Sequence, residues 1–406
     1  MALILILDIY RKLLKLARKI IGPSYRPNTI FGFLYHFLNR CRKFFIWNVS
    51  NFLIFSPLLA PKKRLLLVYD TSSQPLSIGD LIIFQAGAMA LSAEANLNKV
   101  DFIILYDPIS PVSSDKTYSD IDAENIFYYL SSVLPISQIN PNLGSLMIFD
   151  SRQILCKFIV DNFDSYEVWP SSWKFSSKDY LYYDMMDNVL YKHYQNFGKN
   201  IQLKSRPFLS SWAFEYFETQ ISSAIPVTVN LRNNNAYQKH RNANLEAWLS
   251  FFKDCQHKYP VKFIVICALN ERDARFADLD NVLYTKDYGI GLDQELALIQ
   301  NSAMHMGVGS GPISMAWFGS NPYLMVNTKY PPGYFKHTDM LVIVDRNISR
   351  FCFGTEFQRI SSDLETAEFL IEQFAILIAA VDVMNWRSMV KKNLRDKNIF
   401  SATWLR

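Results

Sequence analysis

Gly307-Val308-Gly309-Ser310-Gly311-Pro312-Ile313-Ser314, running on through Met315-Ala316-Trp317-Phe318-Gly319-Ser320-Asn321-Pro322 to Tyr323-Leu324-Met325-Val326-Asn327, decides the fold of this chain. It reads as a short strand, a glycine turn, a helix start and a second strand, about one α/β repeat in length. Gly309 and Gly311 let the backbone approach a ligand closely. Ser310 and Ser314 add hydroxyls beside amide donors at a helix N-terminus, an arrangement that binds anions and phosphates above all. The segment before it, Leu292 to Ser302, has helical spacing and leads directly into the turn.

Working outward, apolar runs at Ile225–Leu231, Val261–Ile266, Asn281–Tyr284 and Met304–Val308 read as strands, with a helix near Ala243–Lys258. An earlier series starts with Arg64–Asp70, a continuous apolar run ending in a polar loop. Gly79-Asp80 opens a helix to about Asn96, and Val100–Tyr106 is the next strand. Strand, loop, helix and strand in some 45 residues make a βαβ unit. Further strands fit Leu146–Phe149 and Tyr166–Trp169, and Asp179–Phe197 is tyrosine-rich and helical. The fold expected is α/β, with two Rossmann-like domains facing a cleft. The boundaries are an arm over 1–60, an N-terminal Rossmann-like domain over 61–222, a C-terminal Rossmann-like domain over 223–366, and a helical segment over 367–406 that packs back.

Composition sets the class. Half of the 406 residues are hydrophobic and 19% are charged, without a long Pro/Gly/Ser tract, so the chain is globular. The net charge of +5 hides an asymmetry: residues 1–64 hold twelve Lys/Arg against one acid, Asp8, and the remainder is mildly acidic. From Ala2 to Ile21, Arg11, Lys15, Arg18 and Lys19 share one helical face, while Ile9, Leu13, Leu16 and Ile20 share another. A basic amphipathic helix of this kind lies on an anionic membrane surface. Nucleic acid is excluded as a partner because the arm is apolar between its charges and the body has no basic stripe. The uncharged run Phe44–Ala60 contains Asn48, Ser50, Asn51, Ser56 and Pro57, and reads as interfacial or packed rather than spanning. Five scattered cysteines give no zinc spacing and read as free thiols in a reducing cytosol, so the expected location is cytoplasmic, on the inner face of the membrane.

Three polar loops carry the chemistry. Ser77-Ile78-Gly79-Asp80 offers a glycine before a helix, with Asp80 either a helix cap or a proton acceptor, and Asp70, Thr71 and Ser72 as alternative acceptor contacts. The loop from Asn230 to Asn244 delivers Arg232, Lys239, His240 and Arg241 to one spot, and arginine's planar fork suits a diphosphate. The third loop is the Gly309–Ser314 turn, with Asp293 and Glu295 upstream.

These residues resemble a family of bacterial GT-B glycosyltransferases, distantly akin to heptosyltransferases and fucosyltransferases. The resemblance rests on Gly79-Asp80 in the first strand-to-helix loop, on Arg232 with Arg241-Asn242-Ala243 before a helix, and on Gly309-Ser310-Gly311-Pro312 with Phe318-Gly319-Ser320-Asn321-Pro322 and Asn327. It covers roughly residues 64–340 and is specific over 225–330. It implies Asp80 as base with Arg232 in a catalytic role, and donor binding by Arg232, His240, Arg241, Asp293, Glu295, Gly309, Ser310, Gly311 and Ser314. No Glu-x(7)-Glu and no Asp-x-Asp motif is present, so no metal is implied, and the nucleotide-sugar is a co-substrate rather than a cofactor. The expected activity is transfer of a sugar to a membrane-associated glycan or lipid-linked acceptor in surface polysaccharide synthesis. Two alternatives keep the fold: a nucleotide-sugar 2-epimerase, which the membrane-facing arm disfavours, and a non-catalytic binding protein.

Overall fold

A computed structural model describes residues 64–106 (except 72, 73 and 75), 124–170 (except 163), 184–235, 239–328, 335–363, 365–381 and 386–388. The arm over 1–60, with both its amphipathic helix and its apolar run, lies outside the described residues. Within 61–155 and 165–406 the chain forms one compact unit, which holds both sheets; residues 156–164 belong to another.

The first sheet contains β1 (Arg64–Asp70), β2 (Val100–Leu105), β3 (Leu143–Phe149) and β4 (Tyr166–Trp169), all parallel, in the order β3-β2-β1-β4. The second contains β5 (Ile225–Asn230), β6 (Val261–Ile266), β7 (Val282–Tyr284), β8 (Met304–Val308) and β9 (Tyr323–Val326), then β10 (Leu341–Asp345), β11 (Ile348–Phe351) and β12 (Gln358–Ser361). Its order is β10-β11-β12-β9-β8-β5-β6-β7, parallel from β12 to β7, with β10 and β11 antiparallel at one edge. The expected mixed α/β architecture is therefore present, and the antiparallel edge is an addition to it. β1, β2, β5, β8 and β9 are buried almost throughout, which is why they read in the sequence as unbroken apolar runs.

Both sheets are wound outward from a central strand. In the first, the chain leaves β1 for β2 and β3 on one side and returns to β4 on the other. In the second, β5 is followed by β6 and β7 on one side and by β8 and β9 on the other. The reversal points are β1/β4 and β5/β8, and in open parallel sheets ligands bind beyond the carboxyl ends of such strand pairs.

Helix α1 (Ile78–Glu94) starts at Ser77, whose hydroxyl accepts the Asp80 amide at 3.2 Å, so Ser77 rather than Asp80 is the cap. Helix α2 (Leu245–Lys258) is capped by Asn244 and turns Trp248, Phe251 and Phe252 into the core. Helix α3 (Leu292–Asn301) leads into β8, and the short α4 (Ile313–Trp317) follows it. Helix α5 (Ala367–Ala380) buries Leu370, Phe374 and Leu377 in the same cluster as Phe251 and Phe263. The core of the first sheet is continuous with one face of the second: Tyr69, Phe84 and Phe102 belong to one cluster with Ile299, Ile313, Trp317 and Met325.

The amino ends of the first sheet's strands are tied by one carboxylate. Asp101 takes Arg64 Nε at 2.6 Å and also Arg64 Nη2, Ser145 Oγ at 2.7 Å and Tyr166 Oη at 3.0 Å. Burial would raise its pKa, but the Arg64, Ser145 and Tyr166 hydrogen bonds outweigh that and hold it below the ordinary carboxylate range.

Candidate functional site

Asn230 ends β5, and Gly307 lies directly opposite it in β8. A Cβ on Gly307, whose φ is +156°, would fall 2.3 Å from Asn230 Oδ1, so glycine here lets the asparagine side chain lie across the neighbouring strand. Asn230 Nδ2 then donates to the Val308 carbonyl at 2.8 Å and to Ser310 Oγ at 2.6 Å. The loop after β5 is thus stitched to the turn after β8 at the reversal point of the second sheet.

Arg241 makes a second stitch. Its Nε donates to the Gly309 carbonyl at 3.0 Å, and Nη2 donates to the same oxygen. Donors from the end of β5 and the loop after it thus cover the Val308 and Gly309 carbonyls. The loop that carries Arg241 is closed by Ala243 N donating to Arg232 O at 2.8 Å. Reciprocal bonds between Asn234 and Asn242 at 3.0 and 2.9 Å support it. At its far end Asn244 N donates to Glu365 Oε2 at 3.1 Å, Trp248 Nε1 donates to the same oxygen, and Asn327 Nδ2 reaches Asn242 O at 3.3 Å. Asn233 N donates to Glu271 Oε2 at 3.3 Å, joining the loops after β5 and β6.

The first-sheet loop joins them. A Cβ on Gly79 would lie 3.3 Å from Gly311 Cα and 3.3 Å from Ser314 Oγ; one on Gly311 would lie 2.7 Å from Ile78 Cβ. The start of α1 and the turn after β8 therefore touch main chain to main chain, and Asp80 is one residue beyond the contact.

Several candidates hold other posts. Ser314 is 3% exposed and lies against Gly79, not open to a ligand. Glu295, also 3% exposed, accepts from Thr285 Oγ1 at 2.6 Å and pairs with Lys286 Nζ at 2.8 Å beyond β7. Burial pushes its carboxyl up, against the pull of Lys286 and Thr285. Asp293 sits in the first turn of α3, facing back toward Gly291. His240 is exposed on the single 3-10 turn Lys239–Arg241 and makes no hydrogen bond among the described residues. Arg232 is half-buried just past β5. Asp70, an alternative acceptor contact, is instead fully committed: 1% exposed, it forms a two-pronged pair with Arg152, one bond being 2.6 Å. Among the described residues, no group of three or more His, Cys, Asp or Glu could hold a metal ion. Cys255, Cys267 and Cys352 are free and buried, their thiols pushed up by desolvation to about 12, about 12 and about 11. No described helix is long and apolar enough to cross a membrane.

Sequence reasoning missed Asn230, His305, Thr228 and Glu365 as site-associated residues. His305 sits in β8 with Nε2 2.7 Å from Asn230 Oδ1 and Nδ1 2.9 Å from Thr228 Oγ1. The signal available was a histidine and a threonine within otherwise apolar strands, where an unpaired polar group would be costly.

No family model matches the chain, and no curated protein matches it. Among solved structures it is similar to a glycosyl transferase family 9 protein from Veillonella parvula, at 13% identity over 67% of this chain and 83% of that one, TM-score 0.44. It is also similar to the Escherichia coli ADP-heptose LPS heptosyltransferase II, at 12% identity over 78% of this chain and 99% of that one, TM-score 0.47. A third is the E. coli heptosyltransferase WaaC with ADP-2-deoxy-2-fluoro heptose, at 12% identity over 77% of this chain and 99% of that one, TM-score 0.39.

Proposed function

We propose that this chain is a metal-independent glycosyltransferase. It moves a sugar from a nucleotide-activated donor to a membrane-associated glycan or lipid-linked acceptor at the cytoplasmic face of the membrane. The observation that carries this reading is the meeting of three polar loops at the β5/β8 reversal point: Arg241 on the Gly309 carbonyl, Asn230 on Ser310, and Gly79 against Gly311. A turn whose carbonyls are covered, beside two arginine-bearing positions, suits a diphosphate. Arg232 and Arg241 stabilise charge on the departing diphosphate, the small residues Gly309, Ser310 and Gly311 admit it, and Asp80 takes the acceptor hydroxyl's proton. The basic arm over 1–60 holds the enzyme at anionic lipid, where the acceptor lies.

Thermal-shift measurement with GDP-, UDP-, CMP-, ADP- and dTDP-linked sugars tests this, because a ligand that binds only the folded state raises its melting temperature. One of these sugars should stabilise the wild type. Arg232→Ala should lose much of that stabilisation and slow transfer about ten- to a hundredfold with the unliganded melting temperature retained, since a charge-assisted contact contributes about 1.5–3 kcal/mol. Stabilisation by none of them, or full transfer by Arg232→Ala, overturns the reading.

A further inference from the structure

Behind the turn runs a buried file of polar side chains: Ser302, Thr228, His305 and Asn230, leading to Ser310. Ser302 Oγ is 2.9 Å from Thr228 Oγ1, Thr228 Oγ1 is 2.9 Å from His305 Nδ1, and His305 Nε2 is 2.7 Å from Asn230 Oδ1. Asn230 Nδ2 is 2.6 Å from Ser310 Oγ. The four inner residues are all 1% exposed or less, whereas Ser310 is partly exposed.

The direction of each proton follows from the partners. The Val308 carbonyl can only accept, so the Asn230 atom 2.8 Å from it is the amide nitrogen, and both amide hydrogens are spent, on Val308 and on Ser310. Asn230 Oδ1 must then accept, which requires His305 to carry its proton on Nε2. Burial pushes the His305 pKa down to about 3, so the ring is neutral and Nδ1 is left to accept from the Thr228 hydroxyl. At the end of the file, Ser310 Oγ accepts from Asn230, and its own hydrogen is left to point away from the core.

We infer that Asn230 and His305 are positioning residues that fix the Ser310 hydroxyl as a hydrogen-bond donor to a phosphoryl oxygen of a nucleoside diphosphate. The inference rests on the glycosyltransferase reading. It adds to that reading a polarity: the same serine with its hydroxyl turned inward would offer the phosphate a lone pair and repel it. Gly307 belongs to the device, since any side chain there would displace Asn230.

The test uses the full chain and calorimetric titration with ADP, GDP and UDP, and with the matching nucleosides, which lack phosphate. Ser310→Ala and Asn230→Leu, the second of similar size but with no hydrogen to give, should each weaken diphosphate binding about tenfold. The double variant should be no weaker than Asn230→Leu alone, and nucleoside binding should be unchanged in all three. Additive losses, or equal losses for nucleosides, would mean a general structural effect and overturn the inference. Should Asn230→Leu fail to fold, Ser310→Ala still decides the phosphate contact. Nitrogen-15 NMR of the wild type decides the file: His305 should be the neutral tautomer protonated on Nε2 and stay so at pH 5. A proton on Nδ1, or a charged ring, overturns it. If the wild type binds none of the three diphosphates, this inference falls; the glycosyltransferase reading falls with it only if none of the five nucleotide-sugars stabilises the chain. Binding that Ser310→Ala leaves intact removes this inference alone.

Discussion

Asp80, the proposed base, and Glu365 are two carboxylates in different surroundings. Ser77 already caps α1, so the Asp80 carboxylate is not needed for that task. Asp80→Asn should therefore leave the melting temperature within about 0.5 kcal/mol equivalent of the wild type while turnover falls steeply at constant donor affinity. Steady-state kinetics with near-full turnover would remove Asp80 as base. Glu365 is pushed up to about 7 by burial, against hydrogen bonds from Trp248, Asn244 and Asn327. Its folded pKa lies above the unfolded value, so its stabilising contribution is complete below about 4.5 and is lost as pH rises to about 7, on the order of 3 kcal/mol in all. His305 has the opposite sign: pushed down to about 3, it contributes fully above about 6.5 and loses this as pH falls. Denaturant unfolding between pH 4.5 and 7 should show wild-type stability changing little, while Glu365→Gln exposes the His305 slope and gains stability as pH rises. Parallel curves for the two proteins would refute this. At this scale the sequence was least legible. Arg232, Arg241 and the Gly309 turn stand out by type and spacing, but nothing in the chain announces that Arg241 grips a carbonyl or that Glu295 faces Lys286. Those facts depend on which strand ends the fold makes neighbours.

Elements were read far more easily, because strands buried on both faces are predominantly apolar. β1, β5, β6, β8 and β9 are of this kind and lie within a residue or two of the expected limits. The three strands over 341–361 were not foreseen. Their hairpin turns at Arg346-Asn347 without a glycine, although Arg346 takes φ +20°, so the usual turn signal is missing. The segment before α1 hides another feature, the fully buried Asp70–Arg152 pair that fastens the carboxyl end of β1 to the start of the Arg152–Asp161 helix. Removing one partner strands the other charge, so Arg152→Met should cost about 3–5 kcal/mol. Arg152→Met with Asp70→Leu should recover much of that. Chemical denaturation of both variants checks it, and equal losses would show that packing rather than charge governs the site.

Across the described residues, the core of the first sheet is continuous with one face of the second, the other face of the second sheet has a core of its own, and both reversal points belong to the same compact unit. The basic arm belongs to this scale. Residues 1–60 should bind anionic vesicles, and the binding should weaken with added salt because surface charges are screened over about 8 Å at physiological ionic strength. Deleting residues 1–21 should reduce sedimentation with anionic vesicles and leave nucleotide binding unchanged. Equal partition onto neutral and anionic vesicles would count against a charge-driven attachment. The contact between Gly79 and Gly311 has a different bearing, on heredity. Most crowded pairs in a protein can drift together, since a residue that grows at one position finds relief when its neighbour shrinks. Here the atoms that a methyl group at 311 would strike are the Gly79 nitrogen and the first side-chain carbon of Ile78. A third glycine, at 78, would remove the side-chain clash and still leave the Gly79 nitrogen 3.0 Å away. Position 311, 232 residues away in the chain, is therefore closed to compensation from position 79, whereas a methyl group at 79, 3.3 Å from Gly311 Cα and Ser314 Oγ, asks only a shift of a few tenths of an ångström.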